Sequence, residues 1–579
     1  MSEPNVLIEF DFPLIMRDGI VLYADVYRPV TDQPCPVLLQ RTPYDKSQSA
    51  NGSLDAIRGA KEGYAIVIQD VRGRYTSEGE FYPFANESED GYDTIESLAK
   101  QSWCSGKIGM YGGSYVGATQ WLAALAKPAH LSAIAPGITS NDYFEGWTYQ
   151  GGAFQLTFSL SWALGLALNN IEHLSKALGN LSDEQALLTD SLDEFGNTVE
   201  CLPLEAVPAF EREGLAPYYR DWVKHFENDD YWRRWNISRA HKHIDIPAYH
   251  QGGWYDIFLG GTLRNFTGMK TNGVSQSTRE GQRLLIGPWV HDYGLTSKTG
   301  DMDFGLRASG AAIDIHGKLL RWFDYWLKDE QDAIQCDAPI ELFVMGINQW
   351  RCESEWPPAR CKFVEYYFHS TGEAATDLQD GTLSTNCPDI EPSDSYEYDP
   401  NRPVPTRGGA LCCHDAQTPF GAFDQSAIEK RPDVLVYSTP PLDDSIEVTG
   451  PVEVILYASS SAKDTDFTAK LVDVSPCGKA VNLTDGIVRA RYRKSTEIAQ
   501  LLEPNEIYCF KIDLLATSNV FARGHQIRIE ISSSNFPRFD RNPNTGKPAT
   551  SRADFIVATQ TVMHDADHPS HVRLPIASS

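Results

Sequence analysis

The first quarter of the chain alternates short apolar runs with segments of helical spacing. Residues 36–44 and 63–73 are apolar runs that end in Pro- or Gly-bearing loops, which is typical of buried strands. Residues 89–101 place apolar side chains at helical spacing, and 107–113 is another short apolar run. Because strands that alternate with helices form sheets covered by helices, this region predicts a mostly parallel α/β sheet.

The pattern changes in the middle of the chain and then returns. Residues 145–240 carry long helical patterns and end in a segment rich in Trp, Arg and Asp, which predicts a helical insertion. Two apolar runs, 246–256 and 283–291, resume the strand pattern, each with a loop at its carboxyl end. Residues 317–329 then predict an amphipathic helix that closes this part of the chain.

The remainder of the chain reads as β structure throughout. Short alternating segments, at 364–370, 451–459, 466–474 and 525–533, are separated by clusters of Pro, Gly, Asp and Asn. Such spacing is typical of an antiparallel β-sandwich, here of the jelly-roll type. The predicted domains are a discontinuous α/β core over 1–144 and 241–350, a helical cap over 145–240 and a β-sandwich over 351–579.

The net charge limits which binding partners the protein is expected to have, and the cysteines indicate its cellular compartment. The 579 residues include 50 Lys+Arg and 78 Asp+Glu, a net charge of −28, which argues against nucleic acid or an anionic membrane as the main partner. The amino terminus shows no secretory signal pattern, and the 11 cysteines are scattered without a CxxC pair. We therefore expect free thiols in a reducing cytoplasm, also for the adjacent Cys412 and Cys413. No His/Cys cluster has metal-ligand spacing, so neither a metal nor a cofactor is predicted.

The stretch 111-YGGSYVG-117 holds the first candidate for chemistry. It nearly spells the G-x-S-x-G nucleophile elbow, but the second glycine arrives one residue late, at Gly117. A predicted strand precedes it and helix formers follow it as far as Pro128, which is the strand–turn–helix context that an elbow needs. Ser114 is therefore a candidate nucleophile, although a serine after two glycines can also belong to an ordinary tight turn.

A nucleophilic serine needs a general base and a carboxylate, which follow it in that fold class in the chain order Ser, Asp, His. Asp256 and His291 fit, since each directly follows a predicted strand. Alternatives remain: Asp256 could cap a helix, His250 could compete for the base, and Asp292 for the acid. His250 precedes the aspartate and breaks the chain order, and the neighbouring side chains of His291 and Asp292 rarely attain the required hydrogen bond.

The tetrahedral intermediate of acyl transfer needs hydrogen-bond donors for its oxyanion. One candidate is the backbone N–H of Tyr115, the residue after the nucleophile, at the start of a predicted helix. The other is the hydroxyl of Tyr44 in 41-RTPYDK-46, which follows an early strand and could equally be a partly buried surface aromatic.

These residues lie in motifs that resemble a known family. The motifs are RTPYDK (41–46), QDVRGRYTSEGEF (69–81), GMYGGSYVG (109–117), GWYD (253–256), GPWVH (287–291) and RWFDYWLK (321–328), with a longer match over 447–474. In this order they resemble the serine hydrolases that include cocaine esterase and the X-prolyl dipeptidyl peptidases. The resemblance implies an α/β-hydrolase core, a helical cap and a C-terminal jelly roll.

The resemblance also implies roles for individual residues. Ser114, Asp256 and His291 match the catalytic triad, and Tyr44 and Tyr115 match the oxyanion donors. Aromatic residues that match those around the acyl group in cocaine esterase-like enzymes are Trp147, Trp162 and Phe258, although a core aromatic is an equal alternative for each. The charged residues of the second motif, Arg72, Arg74 and Glu78, are expected to form an ion-paired loop that braces the elbow.

The expected function is hydrolysis of a small-molecule carboxylic ester through an acyl-enzyme. An amide-cleaving acylase or an X-Pro-type aminopeptidase would use the same residues, and the acidic run 226-FENDDYW-232 could serve to grip a substrate amine. A non-catalytic binding protein with a relic hydrolase core is a third alternative, which the complete triad disfavours. The oligomeric state is left open, with a homodimer as one expectation.

Overall fold

The structure is a computed structural model, and it describes residues 5–49, 53–335, 337–414 and 418–578. Its first part builds most of one sheet with the helices between its strands. The strands are β1 (Val6–Ile15), β2 (Val21–Pro29), β3 (Cys35–Thr42), β4 (Ala65–Asp70), β5 (Cys104–Gly113) and β6 (Leu131–Gly137). The helices are α1 (Ala56–Lys61), α2 (Glu87–Leu98) and α3 (Tyr115–Leu125).

The middle of the chain is mainly helical. It begins with a small hairpin, β7 (Tyr149–Gln150) and β8 (Ala153–Phe154), which is followed by α4 (Leu156–Asn169), α5 (Ile171–Leu178), α6 (Ser182–Asp193), α7 (Phe195–Thr198), α8 (Pro217–Lys224) and α9 (Asp230–Arg233). The first of these helices is buried along most of its length. Within the predicted helical insertion, the first long helical stretch is divided into α4 and α5 at Asn170.

The sheet is then completed by later strands. These elements are β9 (Ala248–Gly253), α10 (Leu259–Asn272), α11 (Gln276–Glu280), β10 (Gln282–Gly287), β11 (Lys298–Thr299), β12 (Met302–Asp303), α12 (Ile315–Leu327), β13 (Ile340–Val344) and β14 (Gln349–Glu353). The ten strands run in the order β1-β2-β4-β3-β5-β6-β9-β10-β13-β14. Pairing is parallel from β4 to β13 and antiparallel at both edges, so the predicted mostly parallel sheet is confirmed.

Parallel pairing brings the carboxyl ends of the central strands to one edge. Gly113 at the end of β5 pairs with Gly137 of β6, Gly137 pairs with Gln251 of β9, and Gly253 pairs with Gly287 of β10. The loops that follow these strands therefore emerge side by side. In such sheets this edge is where ligands bind.

The C-terminal part is rich in sheet. Its strands are β15 (Cys361–His369), β16 (Thr382–Ser384), β17 (Asp394–Tyr398), β18 (Leu435–Ser438), β19 (Ile446–Ser460), β20 (Asp466–Val474), β21 (Ala480–Arg489), β22 (Tyr508–Phe521), β23 (Gln526–Ser532), β24 (Ala558–Met563) and β25 (His571–Ala577). These eleven strands form one connected sheet, with antiparallel pairs except between β16 and β18. Residues 466–474, predicted as a strand, are β20 itself.

Two features differ from the sequence predictions or lie beyond them. Strand β1 was not predicted; its apolar side chains do not alternate cleanly, and it forms an edge that is partly exposed. Cys412 and Cys413 are joined in a disulfide, so the expectation of free thiols is wrong for this pair. Cys413 has a positive φ of 80°. In the described part of the chain, no helix has the length and apolar character needed to cross a membrane.

Candidate active site

Ser114 lies on a sharp turn between β5 and α3. Its φ is 60° and its ψ is −127°, a conformation that costs a non-glycine residue about 1–3 kcal/mol. The turn is held because the Ser114 N–H donates to the carbonyls of Gly137 and Ile138, at 3.0 and 3.1 Å. The turn projects the side chain at the carboxyl edge of the sheet, as in a nucleophile elbow.

The displaced glycine pattern follows from packing around this turn. Gly112 has a φ of +120°, and a Cβ there would lie 2.4 Å from Val116 Cγ1. A Cβ on Gly113 would lie 1.9 Å from the Tyr293 hydroxyl. One turn into α3, a Cβ on Gly117 would lie 2.8 Å from the Thr139 side chain. A side chain at any of these three glycines would therefore clash with a neighbouring residue. For Gly117 that neighbour lies in the loop after β6, against which α3 packs.

Replacing Gly113 with alanine should lower the free energy of unfolding by about 1–3 kcal/mol, since the new methyl group displaces the Tyr293 ring. Urea denaturation followed by fluorescence measures this change. Gly165→Ala is the matched control. Gly165 lies within α4, and a Cβ there would meet no atom of the other described residues within 4 Å beyond its own helix, so alanine should stabilise the helix by about 0.5–1 kcal/mol. Equal effects at the two positions would contradict the packing argument.

Asp256 and His291 converge on Ser114 from the two neighbouring strands. Asp256 follows β9 and is fully buried, and its Oδ1 lies 2.7 Å from His291 Nδ1. His291 follows β10, and its Nε2 lies 2.9 Å from Ser114 Oγ. Because a carboxylate only accepts, Nδ1 carries the hydrogen and Nε2 is left to accept from the serine hydroxyl. The three predicted residues are therefore hydrogen-bonded in a chain.

The residues that compete for the base and the acid are engaged elsewhere. His250 is buried within β9, where its Nε2 lies 2.8 Å from Gln282 Oε1 and burial lowers its pKa to about 4. Asp292 accepts from the N–H of Gly294 and thereby caps its own turn. Asp256 does not cap a helix with its side chain, since α10 begins only at Leu259.

The Tyr44 hydroxyl lies beside Ser114 in the loop after β3. It accepts a hydrogen bond from Trp162 Nε1 at 3.1 Å and also interacts with Ser114. Burial raises the pKa of Tyr44 to about 12, against the opposing effect of these hydrogen bonds. The hydroxyl therefore remains protonated at neutral pH and retains a hydrogen to donate.

Tyr115 is anchored by its side chain. Its hydroxyl donates to Glu87 Oε1 at 2.7 Å and accepts from the Phe84 N–H at 2.9 Å, and Glu87 is paired with Arg41 at 2.7 Å. As the first residue of α3, Tyr115 has a backbone N–H without an intrahelical acceptor. That N–H lies at the positive end of the helix, beside Ser114.

The three predicted pocket aromatics form one buried cluster that touches both sides of the site. Phe258 meets the His291 ring edge to face at 5.2 Å between centroids and stacks on Trp147 at 4.2 Å. Trp147 meets Trp162 at 5.4 Å, and Trp162 donates to Tyr44. The cluster therefore connects His291 to Tyr44.

The loop that follows β4 supports the site through ion pairs, as expected, and also through hydrogen bonds to backbone carbonyls, which were not expected. Arg72 pairs with Asp18 and Asp90 at 2.7 and 2.6 Å, as an ion-paired loop requires. Arg74 instead donates to two backbone carbonyls, those of Pro43 and Leu166, both at 2.8 Å. It thereby links the residue before Tyr44 to the helix that carries Trp162.

Sequence reasoning missed the supporting pair Arg41 and Glu87. Both side chains are buried, and Arg41 also donates to Gln69 at 2.8 Å. The available signal was an arginine inside the apolar run 36–44, since a buried charge needs a partner. Within the described ranges, no group of three or more His, Cys, Asp or Glu side chains could hold a metal ion.

Comparison with known proteins identifies the class. Residues 18–293 match the family described as X-Pro dipeptidyl-peptidase (S15 family), and residues 332–573 match the X-Pro dipeptidyl-peptidase C-terminal non-catalytic domain. The chain is thus an S15-type hydrolase domain followed by a sheet-rich, non-catalytic C-terminal domain. Strands β13 and β14 belong to the first sheet although they lie within the second match.

A curated relative covers the whole chain. Cocaine esterase of Rhodococcus sp. (strain MB1 Bresler) is 40% identical over 583 residues, which is 100% of both chains. The protein therefore belongs to the family of serine hydrolases that includes this esterase and the S15 X-Pro dipeptidyl peptidases. Two solved structures share the fold: an aminopeptidase from a Thaumarchaeota archaeon, with TM-score 0.81, 24% identity and coverage of 100% and 97%, and an α-amino acid ester hydrolase, with TM-score 0.79, 24% identity and coverage of 99% and 97%.

Proposed function

We propose that the protein hydrolyses carboxylic esters of small molecules through an acyl-enzyme formed on Ser114. The observation that carries this proposal is the position of His291, 2.9 Å from Ser114 Oγ and 2.7 Å from Asp256 Oδ1. Family membership and the full-length similarity to an esterase support it. No step in the proposal uses a cofactor or a metal.

In the acylation step, Ser114 Oγ attacks the ester carbonyl carbon while His291 Nε2 takes the hydroxyl proton. Asp256 holds the Nδ1–H and stabilises the imidazolium. The carbonyl oxygen becomes an oxyanion, which the Tyr44 hydroxyl and the Tyr115 N–H stabilise. The intermediate collapses as the C–O bond breaks, and His291 gives the proton to the departing alcohol.

Deacylation repeats the sequence with water. His291 Nε2 takes a proton from water as its oxygen attacks the acyl carbon, and the proton then returns to Ser114 Oγ as the carboxylic acid leaves. The buried aromatic cluster of Trp147, Trp162 and Phe258 is the proposed wall of the acyl pocket. Its apolar character favours an apolar or aromatic acyl group.

An amide substrate is the second candidate, since a related fold serves an aminopeptidase. The acidic run offers it little support. Asp229 caps α9 and lies 2.6 Å from His225, while Asp230 pairs with Arg233 on the surface. Because both carboxylates already pair with neighbouring residues, this segment offers no carboxylate for binding the amine of a peptide substrate.

A substrate panel separates the two candidates. We expect turnover of p-nitrophenyl esters to exceed that of X-Pro p-nitroanilides and of matched acyl amides in kcat/KM. Labelling by a fluorophosphonate probe, located by mass spectrometry of the digested protein, should fall on Ser114. Absence of an adduct on the folded protein would favour the non-catalytic alternative, and faster turnover of the X-Pro amides would favour the peptidase.

Tyr44→Phe should lower kcat for ester hydrolysis by about 10²–10³-fold with little change in KM, because it removes one oxyanion donor. Steady-state kinetics with a p-nitrophenyl ester measure both constants. Tyr111→Phe is the matched control, since the Tyr111 hydroxyl is buried next to the elbow and has no hydrogen-bond partner among the described residues. If the two variants have the same kcat, Tyr44 is not an oxyanion donor.

We also propose domain boundaries, a cellular location and an oligomeric state for the protein. We infer an α/β-hydrolase core over 1–144 and 241–350, a cap over 145–240 and a jelly roll over 351–579. The helices around a parallel sheet and the antiparallel C-terminal strands support these assignments, while β14 (Gln349–Glu353) runs past the proposed boundary at 350. A cytoplasmic location, a small-molecule ester or amide substrate, the absence of nucleic-acid and membrane partners, and a homodimer remain predictions.

A further inference from the structure

A cavity lies between the helical region and the C-terminal domain. It has a volume of about 330 Å³, within the usual range for sites of small organic ligands. On one side its walls come from the β7–β8 hairpin, the start of α4, residues 199–205 and residues 223–226. On the other side they come from residues 489–492 and 536–550. None of Ser114, Asp256, His291 or the pocket aromatics lines it.

The lining of the cavity combines apolar side chains with cationic ones. Its apolar lining includes Phe154, Leu156, Val199, Leu204 and Phe536, of which all but the half-buried Leu204 are buried. The side chains of Lys224 and Lys547 also line the cavity, and both residues are exposed. A lining of apolar and charged side chains suits an amphipathic ligand.

The charges of the lining favour an anion. The chain has a net charge of −28, yet the lining holds five cationic residues and only two acidic ones, Glu205 and Asp540. Asp540 is already engaged, because Arg489 binds it at 2.9 Å. Within the part of the chain that the structure describes, no ion pair involves Lys224 or Lys547.

Arg541 adds a third incompletely neutralised cation to the lining. Its carboxylate partner, Glu200 at 2.8 Å, is shared with Arg552 at the same distance. Its guanidinium lies over the rings of Phe536 and Phe555, at 4.5 and 5.1 Å from their centroids. A ligand carboxylate could therefore complete the charge balance while its apolar body occupies the interior.

We propose that this cavity is a binding site for an organic carboxylate with an apolar body, such as a medium-chain or aryl-alkyl acid. Carboxylic acids are also the products of the proposed ester hydrolysis, but the inference stands on the cavity and its charges alone. The hydrogen bonds from Phe154 N to Asp540 Oδ1, 2.8 Å, and from Thr157 N to Pro537 O, 3.2 Å, already join the two walls. A bound ligand adds to this junction and stabilises the docked arrangement.

The test measures binding of octanoate and 4-phenylbutyrate to the full chain by calorimetry, and the shift in Tm by differential scanning fluorimetry. Protein carrying a phosphonate on Ser114 is used beside the unmodified protein, so that binding in the proposed catalytic pocket is excluded. Octanamide and 4-phenylbutyramide are the neutral controls. We expect one saturable site for each acid, a higher Tm with the acids, and at least tenfold weaker binding of the amides.

Two variants locate the site. Leu204→Trp fills the cavity and should abolish binding, and Lys547→Glu reverses a charge of the lining and should weaken it roughly tenfold. Lys430→Glu, at an exposed lysine elsewhere on the C-terminal domain, makes the same change in net charge and should leave binding unchanged. Because Lys547 is exposed, its variant remains informative if Leu204→Trp does not fold.

Absence of saturable binding to the phosphonylated protein would overturn the inference, as would equal affinity for acids and amides. Binding that survives both Leu204→Trp and Lys547→Glu would overturn it as well. If Ser114 takes no phosphonate, the proposed catalytic function fails, but the two cavity variants still report on this site in the unmodified protein. The two failures are therefore distinguishable.

Discussion

Replacing Ser114 with alanine should reduce kcat for ester hydrolysis by about 10⁴–10⁶-fold, the loss expected when a serine hydrolase loses its nucleophile. The reason is that the His291 imidazole, 2.9 Å from Ser114 Oγ, then has no hydroxyl to activate. Initial rates with a p-nitrophenyl ester measure the loss, and the fluorophosphonate adduct should disappear with it.

The turn at Ser114 offers a control for folding. Its φ of 60° is unfavourable for alanine but not for glycine, so Ser114→Gly should be as inactive as Ser114→Ala and more stable by about 1 kcal/mol. Urea denaturation of both variants measures that difference. Both proteins should keep a cooperative transition. Hydrolysis that persists in both variants at more than about a hundredth of the original rate would show that another residue is the nucleophile.

The central sheet and the order of the candidate residues were accessible from the sequence because both depend on local patterns. Apolar runs such as 36–44 mark buried strands, and parallel strands place their following loops at one edge. Ser114, Asp256 and His291 each follow such a run, so their meeting could be predicted without coordinates. The distances between the three side chains could not be predicted from the sequence pattern and come from the structure.

The supports of the site could not be predicted in the same way, because they join segments far apart in the chain. The link from Arg74 to Leu166 spans 92 positions, and the one from Trp162 to Tyr44 spans 118. The sequence around Arg74 or Trp162 does not indicate which distant residue accepts its hydrogen bond. The cavity between the helical region and the C-terminal domain was likewise invisible, since its two walls are separated by more than two hundred residues of sequence.

The disulfide between Cys412 and Cys413 shows a different limit. Local reasoning treats adjacent cysteines as poor partners, because an extended chain points neighbouring side chains apart. Here the chain is not extended at Cys413, whose φ is 80°, and the two cysteines are joined. A non-glycine residue with such a backbone is uncommon and carries no sequence signature here.

Asp256→Asn is the second change for which we expect a large effect, a fall in kcat of about 10⁴-fold. Asparagine has the same shape, but its amide can donate to His291 Nδ1. The imidazole then carries its hydrogen on Nε2 and can no longer accept from Ser114. Asp256 is fully buried, and its Oδ2 has no hydrogen-bond partner among the described residues, so this carboxylate acts through His291 alone.

Asp292→Asn is the matched control, because it removes a second carboxylate one residue from His291. Asp292 caps the turn at Gly294 through Oδ1, and the amide oxygen of asparagine can accept the same N–H, so the variant should keep the turn and lose less than about tenfold in kcat. Steady-state kinetics of both variants, with Tm values to exclude unfolding, separate the two roles. A large loss of kcat in Asp292→Asn with little loss in Asp256→Asn would reverse the assignment of the acid. The 2.7 Å contact between Asp256 and His291 would then be structural, and the catalytic tautomer would be set by the neighbouring carboxylate.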